Sequence, residues 1–149
     1  MSEPVQKDLL TNRWRKVQAP GPSEVQLQIS VVQHLRWRCR EGVTYLHVPN
    51  GELRDKRTAA KLKAMGVLPG VADLILIWGE LISTPYLEVT PRLLFLELKV
   101  RGGKLSPEQS EFRDVMRKCG AAFEIADNID DAIAILDRYG ILKRPEVVA

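Results

Sequence analysis

The sequence predicts an α/β fold in which a mixed β-sheet carries helices on both of its faces. Segments with helical spacing alternate with short apolar runs of strand length, and capping or turn residues separate the two kinds of segment. The chain has 149 residues, of which 45% are hydrophobic and 28% are charged. This length and balance indicate one globular domain that is large enough to bury its own core.

The first helix is predicted to begin after Ser23. Residues 1–22 mix charges with prolines and show no sustained periodicity, so we interpret them as an N-terminal arm. Ser23 and Gln26 then form the Ser-x-x-Gln pattern of a capping box, in which each residue satisfies a backbone N–H of the other. Apolar residues recur at helical spacing from this point to about Arg40, which predicts a helix.

The next two elements are a strand and a basic helix. Residues 43–48 alternate as a strand does, and Pro49-Asn50-Gly51 ends the pattern with a turn. Residues 54–65 form a basic, alanine-containing amphipathic segment with Gly66 as its C-terminal stop. The sequence therefore predicts a helix here with several cations on its surface.

Two buried strands follow, one around Asp73 and one around Glu97. The segment between them, residues 79–91, contains two prolines and is predicted to be a loop or an irregular hairpin excursion. The second strand ends at a Gly-Gly turn before the next helix.

The last three elements are a helix, a strand and a helix. Ser106 and Gln109 repeat the capping-box pattern, and Pro107 occupies the first helical position, where its missing N–H costs nothing. Residues 121–126 predict a short strand, and Asn128 caps a final helix that runs to about Tyr139. The expected domain therefore spans residues 23–140, with 141–149 as a C-terminal tail.

Three ionisable residues lie in or beside the two apolar strands, where a purely structural protein would place none. Asp73 belongs to one strand, and Glu97 and Lys99 belong to the other. Burying an unpaired charge costs several kcal/mol. Side chains alternate along a strand, so Glu97 and Lys99 share one face and the apolar residues beside them take the other. Two carboxylates and an ammonium group at one sheet edge would form a divalent-cation site suited to phosphodiester cleavage.

Five sequence elements in order resemble the VRR-NUC family of the PD-(D/E)XK nuclease superfamily, in particular its compact stand-alone phage and bacterial members. The resemblance covers about residues 23–138. One position departs from the family signature, because Ala72 stands where the family has proline. The five elements are Glu24-x3-Gln28, Pro49-Asn50-Gly51, Gly66-Val67 with Gly70-Val71-Ala72-Asp73, Glu97-Leu98-Lys99, and Leu105-Ser106-Pro107-Glu108-Gln109.

The resemblance implies a restriction-endonuclease-like sheet and a metal-dependent endodeoxyribonuclease. Asp73, Glu97 and the backbone carbonyl of Leu98 would bind Mg²⁺ or Mn²⁺, hard cations that prefer oxygen ligands. Lys99 would orient the attacking water or stabilise the transition state. The implied catalytic residues are Glu24, Asp73, Glu97, Lys99 and Gln109, with Glu24 completing the metal shell and Gln109 holding the water or Lys99.

The expected substrate is branched DNA, with a Holliday junction as the first choice and a homodimer as the expected assembly. A flap or nicking nuclease of the same fold and a non-catalytic DNA-binding module are the alternatives. We expect no organic cofactor, no membrane association and a cytoplasmic location. The residues expected to contact DNA are Asn50, Arg54, Arg57, Lys61, Lys63, Arg101 and Lys104.

Each candidate residue also has a structural interpretation. Glu97 and Lys99 could form an ion pair on a sheet face, and Asp73 could cap a turn. Glu24 and Gln109 lie in first helical turns, where a carboxylate or a capping amide is favourable in any protein. His47 lies close to the predicted turn, but a surface role is the simpler interpretation for it.

Overall fold

The computed structural model describes residues 5–7, 14–16, 21–49, 56–83 and 87–143. From residue 23 onward the element order is the one that the sequence predicts. The strands are β1 (Val5–Lys7), β2 (Trp14–Lys16), β3 (Val43–His47), β4 (Leu74–Ser83), β5 (Leu87–Leu98) and β6 (Ala122–Ala126). The helices are α1 (Glu24–Arg38), α2 (Lys56–Ala64), α3 (Pro107–Lys118) and α4 (Ile129–Arg138).

The main sheet has four strands in the order β3-β4-β5-β6. Strand β4 is antiparallel to both β3 and β5, whereas β5 and β6 are parallel. The register pairs Leu74 with both His47 and Leu96, and it pairs Glu97 with Ile125. Strands β1 and β2 form a separate antiparallel pair within the predicted arm.

Helices cover both faces of this sheet, which confirms the predicted fold class. On one face, Leu74, Leu76, Leu94, Leu96 and Leu98 pack against α1 and α4. The alternate residues of the same strands point the other way, and there Phe95 packs with Phe123 and with residues of α3. Because the side chains of a strand alternate, each central strand contributes to both cores.

Both predicted capping boxes are present. Ser23 and Gln26 bond reciprocally at the start of α1, and Ser106 and Gln109 do so at the start of α3. Asn128 caps α4 as predicted, by accepting a hydrogen bond from the backbone N–H of Asp131. These local signals therefore located three helix starts correctly.

The predicted loop or irregular excursion over residues 79–91 is instead regular strand on both sides of residues 84–86. Pro91 is tolerated in β5 because β6 pairs only from Leu94 onward, so no ladder on that side needs its N–H. Gly79 pairs with Pro91, and a Cβ at Gly79 would lie 2.6 Å from a methyl group of Val89. Pro91, one of the two prolines that suggested a break, therefore suits a two-stranded ribbon beyond the sheet, and the other, Pro85, lies outside the described residues.

The core extends past residue 140 into the segment expected to be a tail. Ile141 and Leu142 are buried, and Leu142 forms a bridge with Cys39 at the end of α1. Arg40 donates its backbone N–H to the carbonyl of Ile141, which ties this segment to the first helix. Within the described ranges, no helix is long and apolar enough to cross a membrane.

Candidate functional site

Asp73 connects three strands of the sheet at one edge. It lies directly before β4, and its Oδ2 accepts a hydrogen bond from the backbone N–H of Leu98 at 2.8 Å. Its backbone carbonyl accepts a hydrogen bond from the N–H of Val48 at 3.1 Å and lies 2.9 Å from Nδ1 of His47. The carboxylate is therefore held beside the end of β5, next to Glu97.

Glu97 is a buried acidic residue, with only 1% of its surface exposed. Its Oε1 accepts hydrogen bonds from Nζ of Lys99 at 2.7 Å and from Nε2 of Gln109 at 2.5 Å. Its Oε2 is buried and has no hydrogen-bond partner in the described part of the chain. A carboxylate oxygen without a donor is costly in a protein interior, so this atom needs an explanation.

Gln109 reaches Glu97 because the start of α3 lies close to the loop before Asp73. Gly70, in that loop, has φ +80°, a conformation that favours glycine. A Cβ at Gly70 would lie 2.4 Å from the carbonyl of Glu108 and 2.7 Å from the backbone N of Gln109. The glycine is thus required both by the backbone conformation and by the close approach of α3.

Glu24 adds a third carboxylate to the neighbourhood. It lies in the first turn of α1, and its Oε1 accepts a hydrogen bond from the backbone N–H of Val100 at 3.3 Å. Its side chain is exposed, in contrast to that of Glu97. The structure therefore brings together all five residues that the sequence analysis singled out as catalytic, which are Glu24, Asp73, Glu97, Lys99 and Gln109.

Burial and mutual repulsion disfavour the ionised forms of the two central carboxylates. Burial raises the pKa of Asp73, and the N–H of Leu98 and the charge of Lys99 only partly offset this effect. Burial likewise raises the pKa of Glu97, against the hydrogen bond from Lys99, and the neighbouring charge of Asp73 raises it further. The positive charge of Lys99 alone is therefore too small to balance the ionised carboxylates of Asp73 and Glu97.

A cleft of about 540 Å³ opens beside Asp73, between α1 and the end of β3. We call it the α1 cleft. Its walls combine apolar, amide and basic side chains with the carboxylates of Glu24 and Asp73. The residues that line it are Glu24, Val25, Gln28, Ile29, Val32, Gln33, Arg36, His47, Pro49 and Asp73.

The structure describes five of the seven residues expected to contact DNA and places them on two segments of the chain. Asn50 and Arg54 lie outside the described residues. Arg57, Lys61 and Lys63 are exposed on α2, which makes no close backbone contact with another helix or strand in the described ranges. The remaining two, Arg101 and Lys104, are exposed in the connection that follows Lys99.

The arrangement of helices and strands resembles that of a solved structure described as a VRR_NUC domain protein. The alignment covers 80% of this chain and 88% of that chain, with a TM-score of 0.55 and 26% sequence identity. This chain has the fold of a VRR-NUC domain. No family model matches the sequence, and no curated protein matches it either.

The donor set of this VRR-NUC fold suits a hard divalent cation. Glu97 offers the unpartnered Oε2, and the carboxylate of Asp73 lies beside it. Over the described residues, no group of three or more His, Cys, Asp or Glu side chains could hold a metal ion. Further oxygens would have to come from the backbone and from water, as Mg²⁺ accepts.

His47 and Gln28 belong to the site neighbourhood, although the sequence analysis gave neither of them a role. His47 Nδ1 lies 2.7 Å from Nε2 of Gln28 as well as 2.9 Å from the carbonyl of Asp73. In the sequence, the indication that His47 lies near the site was its position just before the predicted Pro-Asn-Gly turn. Only the pairing of β3 with β4 brings it against Asp73.

Proposed function

We propose that this protein is a metal-dependent endodeoxyribonuclease that hydrolyses phosphodiester bonds in branched DNA. The observation that carries the proposal is the buried carboxylate of Glu97, which keeps one oxygen without a donor among the described residues. The carboxylate of Asp73 is bonded to the N–H of the next residue, Leu98, and its charge helps to raise the pKa of Glu97. A structural ion pair with Lys99 accounts for the other oxygen alone. The fold that this chain shares with the solved VRR_NUC domain protein supports the nuclease assignment.

Mg²⁺ or Mn²⁺ would be held by Asp73, Glu97 and the carbonyl of Leu98, with Glu24 contributing directly or through water. When bound, such a cation lowers the pKa of water and neutralises charge that builds up on a phosphate. Burial is the main cause of the raised pKa values of Asp73 and Glu97, and repulsion from neighbouring carboxylates adds to it. A bound cation would offset both effects, because its charge favours the ionised forms.

Lys99 would stabilise the negative charge of the transition state and orient the attacking water. Its ammonium group is almost buried, and it is fixed by its 2.7 Å contact with Oε1 of Glu97. Preorganised donors of this kind typically contribute a factor of about 10²–10³ to the rate. Gln109 would fix the same oxygen from the opposite side, so that Glu97 keeps one orientation.

The proposed substrate is a Holliday junction or a related branched DNA in the cytoplasm, cut by a homodimer. A two-fold symmetric junction needs two sites related by a two-fold axis. Basic residues would bind phosphates, and affinity would then fall steeply with salt concentration. This part of the proposal assigns phosphate contacts to Asn50, Arg54, Arg57, Lys61, Lys63, Arg101 and Lys104.

The test is a cleavage assay on labelled four-way junction, flap, nicked and plain duplex DNA, each with Mg²⁺, Mn²⁺ or EDTA. Wild type and Lys99→Ala are compared throughout. Paired symmetric cuts on the junction that require metal and Lys99 support the resolvase. Metal-dependent cuts on one of the other DNAs support the nuclease activity and make that DNA, in place of the Holliday junction, the proposed substrate. DNA binding without cleavage under every condition contradicts the proposed enzymatic activity and supports the alternative, a non-catalytic DNA-binding module.

A further inference from the structure

The α1 cleft has an apolar wall that the protein core does not use. Val25 and Ile29, which form this wall, are 66% and 53% exposed. Val32, the next lining residue at helical spacing, is partly buried and packs against the core. The core-facing side of α1 is a different stripe, formed by Leu27, Val31 and Leu35. An exposed apolar stripe that lines a cleft next to charged residues is typical of a ligand-binding surface.

The polar lining of the α1 cleft consists mainly of groups that can form hydrogen bonds with the edge of a flat ligand. Gln28 and Gln33 contribute amides, which both donate and accept, and His47 adds an imidazole. Nδ1 of His47 lies 2.7 Å from Nε2 of Gln28 and 2.9 Å from the carbonyl of Asp73, so these two groups hold one side of the ring. The ring's Nε2 makes no hydrogen bond to any described residue, so it is available to a ligand.

The lining of the α1 cleft suits a neutral group better than a second stretch of DNA backbone. Glu24 and Asp73 form one end of the cleft, where the scissile phosphate would meet the cation that Asp73 and Glu97 would hold. Beyond that end, Arg36 is the single cation among the described lining residues, so a further phosphate would have one charged partner. The occupant should therefore be uncharged, flat and apolar on its faces, with polar atoms at its edge.

A nucleobase has this combination of properties. The volume of about 540 Å³ lies within the roughly 300–1,000 Å³ of small-molecule sites. A base in this position would belong to a nucleotide next to the scissile phosphate, because Asp73 forms part of both the cleft and the carboxylate cluster. Proteins that hold an extruded base stack it on apolar side chains and bond to its edge.

We propose that the α1 cleft binds an unpaired nucleobase of the cleaved strand, next to the phosphate under attack. The inference rests on the proposed nuclease function and adds a substrate requirement to it. A base within a continuous duplex is not available to the cleft, whereas an unpaired base at a branch or bulge is. The protein therefore selects DNA with an unpaired nucleotide at the cleavage position.

The test uses one duplex with a single unpaired nucleotide and a matched duplex in which that nucleotide is abasic. Wild type with Mg²⁺ should cut the first DNA about tenfold faster than the second, as expected for the loss of one stacked base. Ile29→Glu should reduce this ratio to near one. Val115→Glu, a control at a similarly exposed position on α3, should retain it. Equal cleavage of both DNAs by wild type would overturn the inference and leave the nuclease intact.

A measurement of DNA binding tests the proposed base site independently of catalysis. The affinity of Lys99→Ala for the two DNAs is measured by fluorescence anisotropy, under conditions where no cut is made. Tighter binding of the DNA that carries the base, with the preference lost in Lys99→Ala/Ile29→Glu, supports the base site even if wild type proves inactive. Equal affinity for the two DNAs, or no binding to either of them, overturns it.

Discussion

Helices α1 and α3 begin with the same four-residue capping box, but only the capping-box glutamine of α3 reaches the site. In each capping box the serine N–H is 2.9 Å from the glutamine Oε1, and the glutamine N–H is 3.2 Å from the serine hydroxyl. Gln26 is exposed and makes no other side-chain bond among the described residues. Gln109 also donates a hydrogen bond from Nε2 to Oε1 of Glu97.

The comparison separates what a local motif determines from what tertiary packing adds. A capping box uses only the amide oxygen of its glutamine, so the NH₂ group remains available. At α1 that group faces solvent. At α3 the close approach of Gly70 brings the helix start to the end of β5, where the same group fixes a buried carboxylate.

The largest effect is expected from Lys99, which shares Oε1 of Glu97 with Gln109. Lys99→Met should reduce single-turnover cleavage by a factor of about 10³, because the transition state loses a fixed positive charge. The matched control is Lys104→Met, which removes an exposed cation a short distance along the chain. That variant should weaken DNA binding by a few-fold only, and an equal loss of rate in the two variants would contradict the assignment.

A large effect should also follow from Gly70→Ala, which disturbs one capping box and leaves the other intact. The new Cβ would overlap the backbone of Glu108 and Gln109, so α3 must move away from Glu97. We expect a loss of about 2 kcal/mol in unfolding free energy and a loss of cleavage.

Gly66→Ala is the control for this variant. Gly66 also has a positive φ, at +89°, but a Cβ there would meet nothing within 4 Å. It should lose about 1 kcal/mol from backbone strain while cleavage is retained. Equal cleavage by the two variants would show that the approach of α3 is irrelevant to the site.

The direct comparison is Gln109→Ala against Gln26→Ala. Each variant removes one half of a capping box, so each should lose about 0.5–1 kcal/mol of stability in chemical denaturation. Only Gln109→Ala should also reduce the cleavage rate, by about tenfold, since Glu97 then loses one of its two donors. The account fails here if Gln26→Ala impairs cleavage to the same extent.

The smallest effect concerns the pH dependence of stability. Burial raises the pKa of Asp73 in the folded state, so the neutral carboxyl favours folding relative to the ionised one. This stabilisation is present at low pH and is lost as the pH rises through the folded pKa. In EDTA, Asp73→Asn should match wild type near pH 4 and become the more stable protein near pH 7. Thermal unfolding at a series of pH values measures this difference.

Asp114 supplies a control of opposite sign. The hydrogen bond from Arg113 lowers the pKa of this exposed carboxyl, so its ionised form favours the folded state. Asp114→Asn should therefore lose a little stability relative to wild type as the pH rises from below the folded pKa to above the ordinary carboxyl value of 3.8. The same trend in both variants would mean that burial is not what raises the pKa of Asp73.

The sequence located those features of the fold that depend on neighbouring residues. Ser23, Ser106 and Asn128 indicate helix starts through hydrogen bonds within three residues, and the structure has all three. Over residues 79–91 the two prolines suggested a loop or an irregular hairpin excursion, whereas the described part consists of two regular antiparallel strands. Pro91 is compatible with its strand because it pairs with Gly79 beyond the ends of β3 and β6.

The candidate site shows the same division. Glu97 and Lys99 were recognisable because alternation along one strand brings them to one face. The contact of His47 with Asp73 depends on the register between β3 and β4, which no local pattern specifies. The role of Gln109 beyond its capping box, and the need for Gly70 beneath it, depend on how α3 packs.

The measurement that tests the central claim most directly is single-turnover DNA cleavage by Glu97→Gln across a Mg²⁺ titration. Glutamine keeps the shape of the side chain and an acceptor for Lys99, but it removes the charge that would bind the cation. The control is Glu124→Gln, another carboxylate held by a cation and a hydroxyl, from Arg138 and Tyr139. The account predicts no cleavage by Glu97→Gln at any Mg²⁺ concentration and near wild-type rates for Glu124→Gln. Wild-type cleavage by Glu97→Gln with unchanged Mg²⁺ dependence would contradict it.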